Sequence, residues 1–265
     1  MRTNFFVVGL GLLVSWGTVA AQGLVTLKIS GGHGAPSYVQ EVLGQALKEA
    51  GFTPRFELQG EFPVMRREAL LASGELTVAV MGETDERNSR FLPIHVGLTG
   101  GLQGKRILFI PQGAQKLYDG VKSLEDFRRL RKVAGMGSPW ADVAIWRANH
   151  LPVVAVDGNW KVLFRQVASG RRGVDYLPRG VNEILAEWPN HRELVMETHL
   201  VLVYRQDQIL YLSPRHPELL SVLRKALEKA RDSGLIQRLA AHFYRSVEGP
   251  PINLGRRVQI RLTLP

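Results

Sequence analysis

Leu24-Val25-Thr26-Leu27-Lys28-Ile29-Ser30-Gly31-Gly32-His33-Gly34-Ala35-Pro36-Ser37 is an apolar, β-branched run that ends in a turn-rich loop, and the helical repeat directly after it decides the fold. Val39, Val42, Leu43, Ala46, Leu47 and Ala50 recur at helical spacing, with Ser37 placed as N-cap and Gly51 just past the end. Phe52 to Leu58 reads as a second strand, Val64 to Ser73 as a second helix and Leu76 to Met81 as a third strand. Such alternation with short joints predicts a parallel sheet flanked by helices.

Downstream the pattern restarts. After Leu98-Thr99-Gly100-Gly101, Arg106 to Ile110 reads as a strand, Ser123 to about Arg131 as a helix, and Val133 to Gly135 as a short strand. Pro139 to Asn149 then reads as a helix and Val153 to Val156 as a strand. Trp160 to Ala168 and Val181 to Trp188 read as helices around a strand at Val174 to Leu177, and Leu194 to Tyr204 as one long apolar strand. Pro217 to Ser233 and Leu235 to Tyr244 complete the pattern as two helices. The last twenty residues, with Val258, Ile260, Leu262 and Leu264 alternating, read as a strand-like tail.

Composition narrows the class. With 45% hydrophobic and 22% charged residues, the 265-residue chain is too apolar for a disordered polymer. No cysteine is present, which excludes disulfide scaffolds, thiolate metal sites and cysteine nucleophiles. The formal charge of +10 raises three partners: nucleic acid, an anionic membrane surface or an acidic small ligand. The densest cationic cluster, Arg128, Arg129, Arg131 and Lys132, sits beside Glu125 and Asp126 and reads as a solvated helix end. Nothing matches a nucleic-acid module.

Met1-Arg2, the apolar run from Phe5 to Val14 and the small residues Val19-Ala20-Ala21 read as a secretory signal peptide over residues 1–21. Its removal leaves 244 of the 265 residues and, with Arg2 gone, lowers the charge from +10 to +9. The expected location is the periplasm, and no later run has the roughly 20 apolar residues that spanning a bilayer requires.

Enzyme signatures are mostly missing: there is no phosphate loop, nucleophile elbow or H-E-x-x-H, and the seven histidines show no metal-ligand spacing. Two features remain. Thr84-Asp85-Glu86-Arg87 lies just after the third strand, at the sheet edge where open α/β sheets place ligands, and Arg87 suits a bidentate carboxylate pair. Gly137-Ser138-Pro139-Trp140 reads as a helix start, with Ser138 as N-cap and Pro139 at the first position, a setting that favours anions. A surface arginine and an ordinary capped helix are the plainer alternatives for these two segments.

The order of elements resembles the type II periplasmic solute-binding fold, specifically the family 3 proteins known for polar amino acids, over residues 24–245. Thr84-x-x-Arg87, Phe91-x-Pro93 and Gly97-Leu98 resemble the segment in which a T-x-x-R arginine holds the ligand's α-carboxylate. Gly137-x-x-Trp140-x-Asp142, Leu163-Phe164, Gly173-x-Asp175-Tyr176-x-Pro178-Arg179-Gly180 and Glu183 are similar to a branch of transporter-associated substrate-binding proteins. In amino-acid binders of the family an aspartate near that last motif holds the ammonium group. Here Arg179 stands in that neighbourhood, so the resemblance implies an anionic ligand if Arg179 faces the cleft, and none if it pairs with Glu183 four residues on.

The implied fold is α/β with two lobes, each a mixed, mostly parallel sheet flanked by helices. Lobe 1 comprises residues 22–99 plus 200–245 and lobe 2 residues 105–195; 100–104 and 196–199 form crossing hinges, and 246–265 a C-terminal tail. The expected ligand contacts are Tyr38, Thr84, Arg87, Ser138, Trp140 and Arg179, with no catalytic residue, metal or cofactor. The expected function is capture of a small polar, anionic or amino-acid-like solute by a monomer that serves an inner-membrane ABC permease or a sensor. A dehydratase-like enzyme on the same fold, with Glu183 or His33 as acid or base, is the alternative.

Overall fold

The computed structural model describes residues 23–31, 37–170 and 172–265; the expected leader, residues 1–21, and His33 lie outside them. The first lobe opens with β1 (Leu24–Ile29), α1 (Tyr38–Glu49), β2 (Thr53–Leu58), α2 (Val64–Ser73), β3 (Val78–Gly82), α3 (Asp85–Arg90) and β4 (Leu92–Ile94). The second contains β5 (Lys105–Pro111), α4 (Leu124–Arg129), β6 (Ala134–Gly137), α5 (Asp142–Ala148), β7 (Val153–Val156) and α6 (Val162–Ser169). It continues through β8 (Leu177–Gly180), α7 (Val181–Glu187), β9 (Leu194–Met196) and β10 (Leu200–Val203). The chain then returns to the first lobe as β11 (Gln208–Leu212), α8 (Leu220–Asp232) and α9 (Leu235–Phe243), and ends on the second as β12 (Val258–Arg261).

Local chemistry explains the first helix. Ser37 accepts from Gln40 N while the Gln40 side chain accepts from Ser37 N, a reciprocal cap that satisfies two donors at the helix start. Its apolar face, with Val42, Leu43 and Leu47, packs on Leu27, Leu210, Leu223, Leu227 and Ile236. The two ends of the lobe thus share one core.

Each lobe has one reversed strand. β11 runs antiparallel to both β3 and β4, and β5 runs antiparallel to β8, β9 and β10, while β1–β2, β6–β7 and β10–β12 are parallel pairs. The reversed strand is in each case the one that enters directly from the other lobe, so the interruption of the parallel sheet is where the chain crosses. Thr77 joins β1 to β3, donating from its backbone to Lys28 O at 2.9 Å. β5 is covered on both faces, with Leu108 and Ile110 in one core and Ile107 and Phe109 in the other.

Three expected boundaries move. The run from Leu194 to Tyr204 is two strands, because the fully buried Glu197 turns inward between them and accepts from Gln115, His199 N and Leu200 N. Leu200–Val203, assigned to lobe 1 from sequence, pairs with β5 and β12 in the second sheet, so the return crossing is 204–207 rather than 196–199. The tail is no appendage: Val247, Ile252 and Leu254 enter one core of the second lobe, and Ile260 and Leu262 the other. Arg257 fastens it, donating from Nη1 to Glu197 O at 2.6 Å and Leu200 O at 2.8 Å.

The two crossings lie against each other. Tyr204 N donates to Gly104 O at 3.0 Å. Asp207 accepts from Thr99 N at 3.1 Å, from Gly101 N at 3.0 Å and from the Thr99 hydroxyl. Among the described residues no helix is long and apolar enough to cross a membrane.

Candidate functional site

A cavity of about 230 Å³ lies between the lobes. The first lobe contributes Arg67, Gly82 and Arg87, the second Arg106, Trp140, Asp142, Trp160, Arg179 and Glu183, and the crossings Gln103, Gln206 and Asp207. A second space of about 150 Å³ shares Arg67 and Gln208 with it and continues toward Ile29, Ser30 and Ser37 at the end of β1.

Arg87 is placed by α3, a short helix that the sequence reading did not include. Thr84 caps that helix, accepting from Arg87 N at 3.2 Å, and this aims the arginine back under β3. Its guanidinium donates from Nε to Glu68 at 3.0 Å, from Nη1 to Gly82 O at 2.8 Å and from Nη2 to Pro139 O at 2.8 Å. The last of these bonds spans the two lobes, and a Cβ on Gly82 would lie 3.5 Å from the Ala141 Cβ. The lobes are closed upon one another along this line.

Arg179 faces the cleft and is also paired. It donates to Glu187 through Nε at 2.7 Å and Nη2 at 2.6 Å, and its Nη2 lies 3.3 Å from Glu183. Its guanidinium carbon stands 4.8 Å from the Trp140 ring centre and 4.5 Å from that of Trp160. The sequence reading offered Glu183 as its partner, and the closer acid is Glu187, one helical turn further along α7.

Arg106 supplies a third guanidinium. Its Nε lies 2.7 Å from Asp142 and donates to the Tyr204 hydroxyl at 2.6 Å, and Nη1 reaches Glu183 at 3.3 Å. With its amide oxygen turned inward, Gln103 accepts from both Nη atoms, at 2.9 and 3.1 Å. The Tyr204 hydroxyl donates to Asp142, and burial holds its pKa well above the ordinary tyrosine value.

Arg67 differs from these three. Its buried Nε finds no acceptor among the described residues. Burial and then the neighbouring Arg87 push its pKa down, with Glu68 opposing them. Arg67 lines the cavity without an ion pair among the described residues, unlike Arg87, Arg106 and Arg179.

Three of the six expected contacts line the cavity: Arg87, Trp140 and Arg179. Thr84 acts through its cap on α3. Ser138 does not start α5; its hydroxyl bonds Asp157 and the helix begins at Asp142, because a tight turn, with Trp140 N donating to Gly137 O at 3.0 Å, carries Trp140 inward first. Tyr38 is core rather than cleft: its hydroxyl donates to Leu98 O at 2.5 Å and its ring packs on Phe243 and Tyr244. The sequence reading missed Arg67, Arg106, Trp160 and Asp207. Arg106 carried a weak signal, a cation next to Lys105 at the start of an apolar strand; Arg67 on its helix carried none. Among the described residues no cluster of His, Asp and Glu is arranged to hold a metal.

The fold is that of the type II periplasmic-binding proteins, and the solved structures it resembles include substrate-binding proteins of amino acid ABC transporters. One from Streptococcus pneumoniae, bound to L-arginine, matches with a TM-score of 0.56 and 14% identity over 84% of this chain and 94% of that one. An ancestral arginine-binding protein bound to glutamine matches at 0.55 and 18% identity, over 82% and 97%. A further amino acid transporter binding protein matches at 0.55 and 12%, over 84% and 100%. No family model matches the sequence, and no curated protein matches it.

Proposed function

We infer that this chain is an exported solute-binding protein that closes its lobes on a small solute bearing a carboxylate or similar anionic group. The observation that carries the reading is Arg67, which lines the cavity between the two closed lobes and makes no ion pair among the described residues. An oxyanion there would gain a charge-assisted hydrogen bond, worth roughly 1.5 to 3 kcal/mol. Its charge would also oppose the effect of burial, which lowers the Arg67 pKa. Arginine and glutamine, the ligands bound in two of the solved likenesses, both carry an α-carboxylate beside their α-ammonium group.

The charge argument therefore rests on a different residue from the one the sequence suggested. Arg87, Arg106 and Arg179 face Glu68, Asp142, Glu183 and Glu187, and these pairings largely cancel. A cavity of about 230 Å³ suits a small metabolite rather than a polymer. Ligand contacts that exist only when the lobes are together shift the population toward the closed form. Delivery of that form to an inner-membrane permease or sensor, periplasmic residence after loss of residues 1–21 and action as a monomer belong to the same reading. The enzymatic reading gains no support, since Glu183 is held by Gly180 N, Arg106 and Arg179.

The test is a thermal-shift screen of the chain without residues 1–21 against dicarboxylates, neutral amino acids and arginine. A ligand at 100 times its dissociation constant adds about 2.7 kcal/mol, or roughly 5 to 10 °C in a chain of this size. Arg67→Ala should abolish the response to the best ligand. An undiminished response in that variant overturns the placement of the anion, and silence toward every carboxylate overturns the reading.

A further inference from the structure

The side chain of Arg179 is bound as a ligand is bound. Two indole faces, Trp140 and Trp160, stand 4.8 and 4.5 Å from its guanidinium carbon, and Glu187 takes its Nε and Nη2 in a fork. Aromatic faces and a bidentate carboxylate are the features that recognise a planar guanidinium in preference to an ammonium ion. Glu183 completes the negative side at 3.3 Å. Trp140, Trp160, Arg179 and Glu183 all line the inter-lobe cavity, so this box opens onto the same space as Arg67. Nothing about the box requires its occupant to be covalently attached.

We propose that Arg179 is the resident occupant of a guanidinium-binding box and that it sets the specificity of the cleft by excluding solutes with cationic side chains. A solute held by its carboxylate at Arg67 would meet the box already filled, with Glu183 and Glu187 both paired to Arg179. Removing the Arg179 side chain leaves Glu187 and Glu183 facing two indoles, a site complementary to a free guanidinium ion. The proposal uses the solute-binding reading only for its consequence on specificity, because the box itself can be tested without any solute.

The experiment compares wild type with Arg179→Ala by thermal unfolding and tryptophan fluorescence, using ethylguanidinium as the probe and ethylammonium as the control, each at about 20 mM. Ethylguanidinium is expected to raise the melting temperature of the variant by about 2 to 4 °C and to change its fluorescence, while ethylammonium and wild type show no such response. Equal responses of variant and wild type, or none in a folded variant, overturn the box. Should Arg179→Ala fail to fold alone, its refolding yield becomes the readout: recovery with ethylguanidinium but not ethylammonium supports the proposal, and equal yields overturn it. L-Arginine then tests specificity, and is expected to stabilise the variant and not the wild type. An ethylguanidinium response without an arginine response keeps the box and removes its role in solute selection.

Discussion

Arg87 on the first lobe donates to the carbonyl oxygen of Pro139 on the second, 2.8 Å away, while its Nε is held by Glu68 at 3.0 Å. The expected ligand arginine is thus also the clasp between the lobes. A carbonyl is a weaker partner for a guanidinium than a carboxylate, so this bond can hold a closed form without locking it.

Arg87→Ala should therefore do two things. Glu68 loses a buried partner and keeps the half-exposed Arg90 at 2.8 Å, so destabilisation of about 3 kcal/mol is expected in urea unfolding. The loss of the inter-lobe bond should also enlarge the radius of gyration measured by X-ray scattering. An unchanged radius would show that the clasp does not govern closure.

Gly104→Ala tests the crossings. A Cβ at Gly104 would overlap Tyr204 O and lie 2.6 Å from Gln206 O, both backbone atoms that cannot turn aside. The two crossing segments must separate, weakening the Tyr204 N to Gly104 O bond. A loss of at least about 2 kcal/mol is expected, well beyond the cost of an ordinary overpacked side chain at the surface. Thermal unfolding of the variant checks it.

Tyr211 is one of six tyrosines whose pKa values, raised by burial, set an alkaline limit. It is fully buried, its hydroxyl donates to Asn88 at 2.8 Å, and burial pushes its pKa up to about 12 from the ordinary 10. The folded state thus holds the proton more tightly than the unfolded chain does. Its contribution is fully present below pH 10 and is lost as pH rises toward 12, amounting to about 2 to 3 kcal/mol. Tyr211→Phe should lessen the fall in stability over that range by about that amount while costing about 1 kcal/mol at neutral pH. The part due to the likewise raised Tyr38, Tyr118, Tyr176, Tyr204 and Tyr244 remains. Urea midpoints measured from pH 8 to 12 in both proteins decide the matter.

Arg257→Ala should be among the most damaging single changes. The side chain is 1% exposed, it faces the 0% exposed Glu197 at 3.5 Å, and it satisfies three backbone carbonyls, Ile252, Glu197 and Leu200. Stranding a buried carboxylate costs about 3 to 5 kcal/mol. Because β12 and the tail residues Ile252 and Leu254 enter the second lobe beside it, proteolysis of residues 246–265 should accelerate in parallel. A variant as resistant as wild type would mean that the tail is held by its apolar contacts alone.

What was legible in the sequence was what neighbouring residues decide. The helix from Tyr38 to Glu49 follows from its apolar spacing and from Ser37 and Gln40, all within a few positions of one another, and Val153–Val156 is a strand as read. The two-lobed α/β order follows from the same short-range alternation. Partnership between distant residues was not legible. Sequence spacing offered Glu183 to Arg179 and left Arg67 an anonymous helix residue, and it could not show that Glu197 breaks an apolar run to meet Arg257, sixty positions on. Propensity and periodicity are summed over a few residues, whereas the free energy of a buried charge depends on every group the fold brings within a few ångströms. The sequence determined that this chain forms two α/β lobes and pointed to Arg87 and Arg179; the tertiary structure added Arg67 and Arg106 to the cleft. Only the tertiary structure decided which of those arginines is already spoken for.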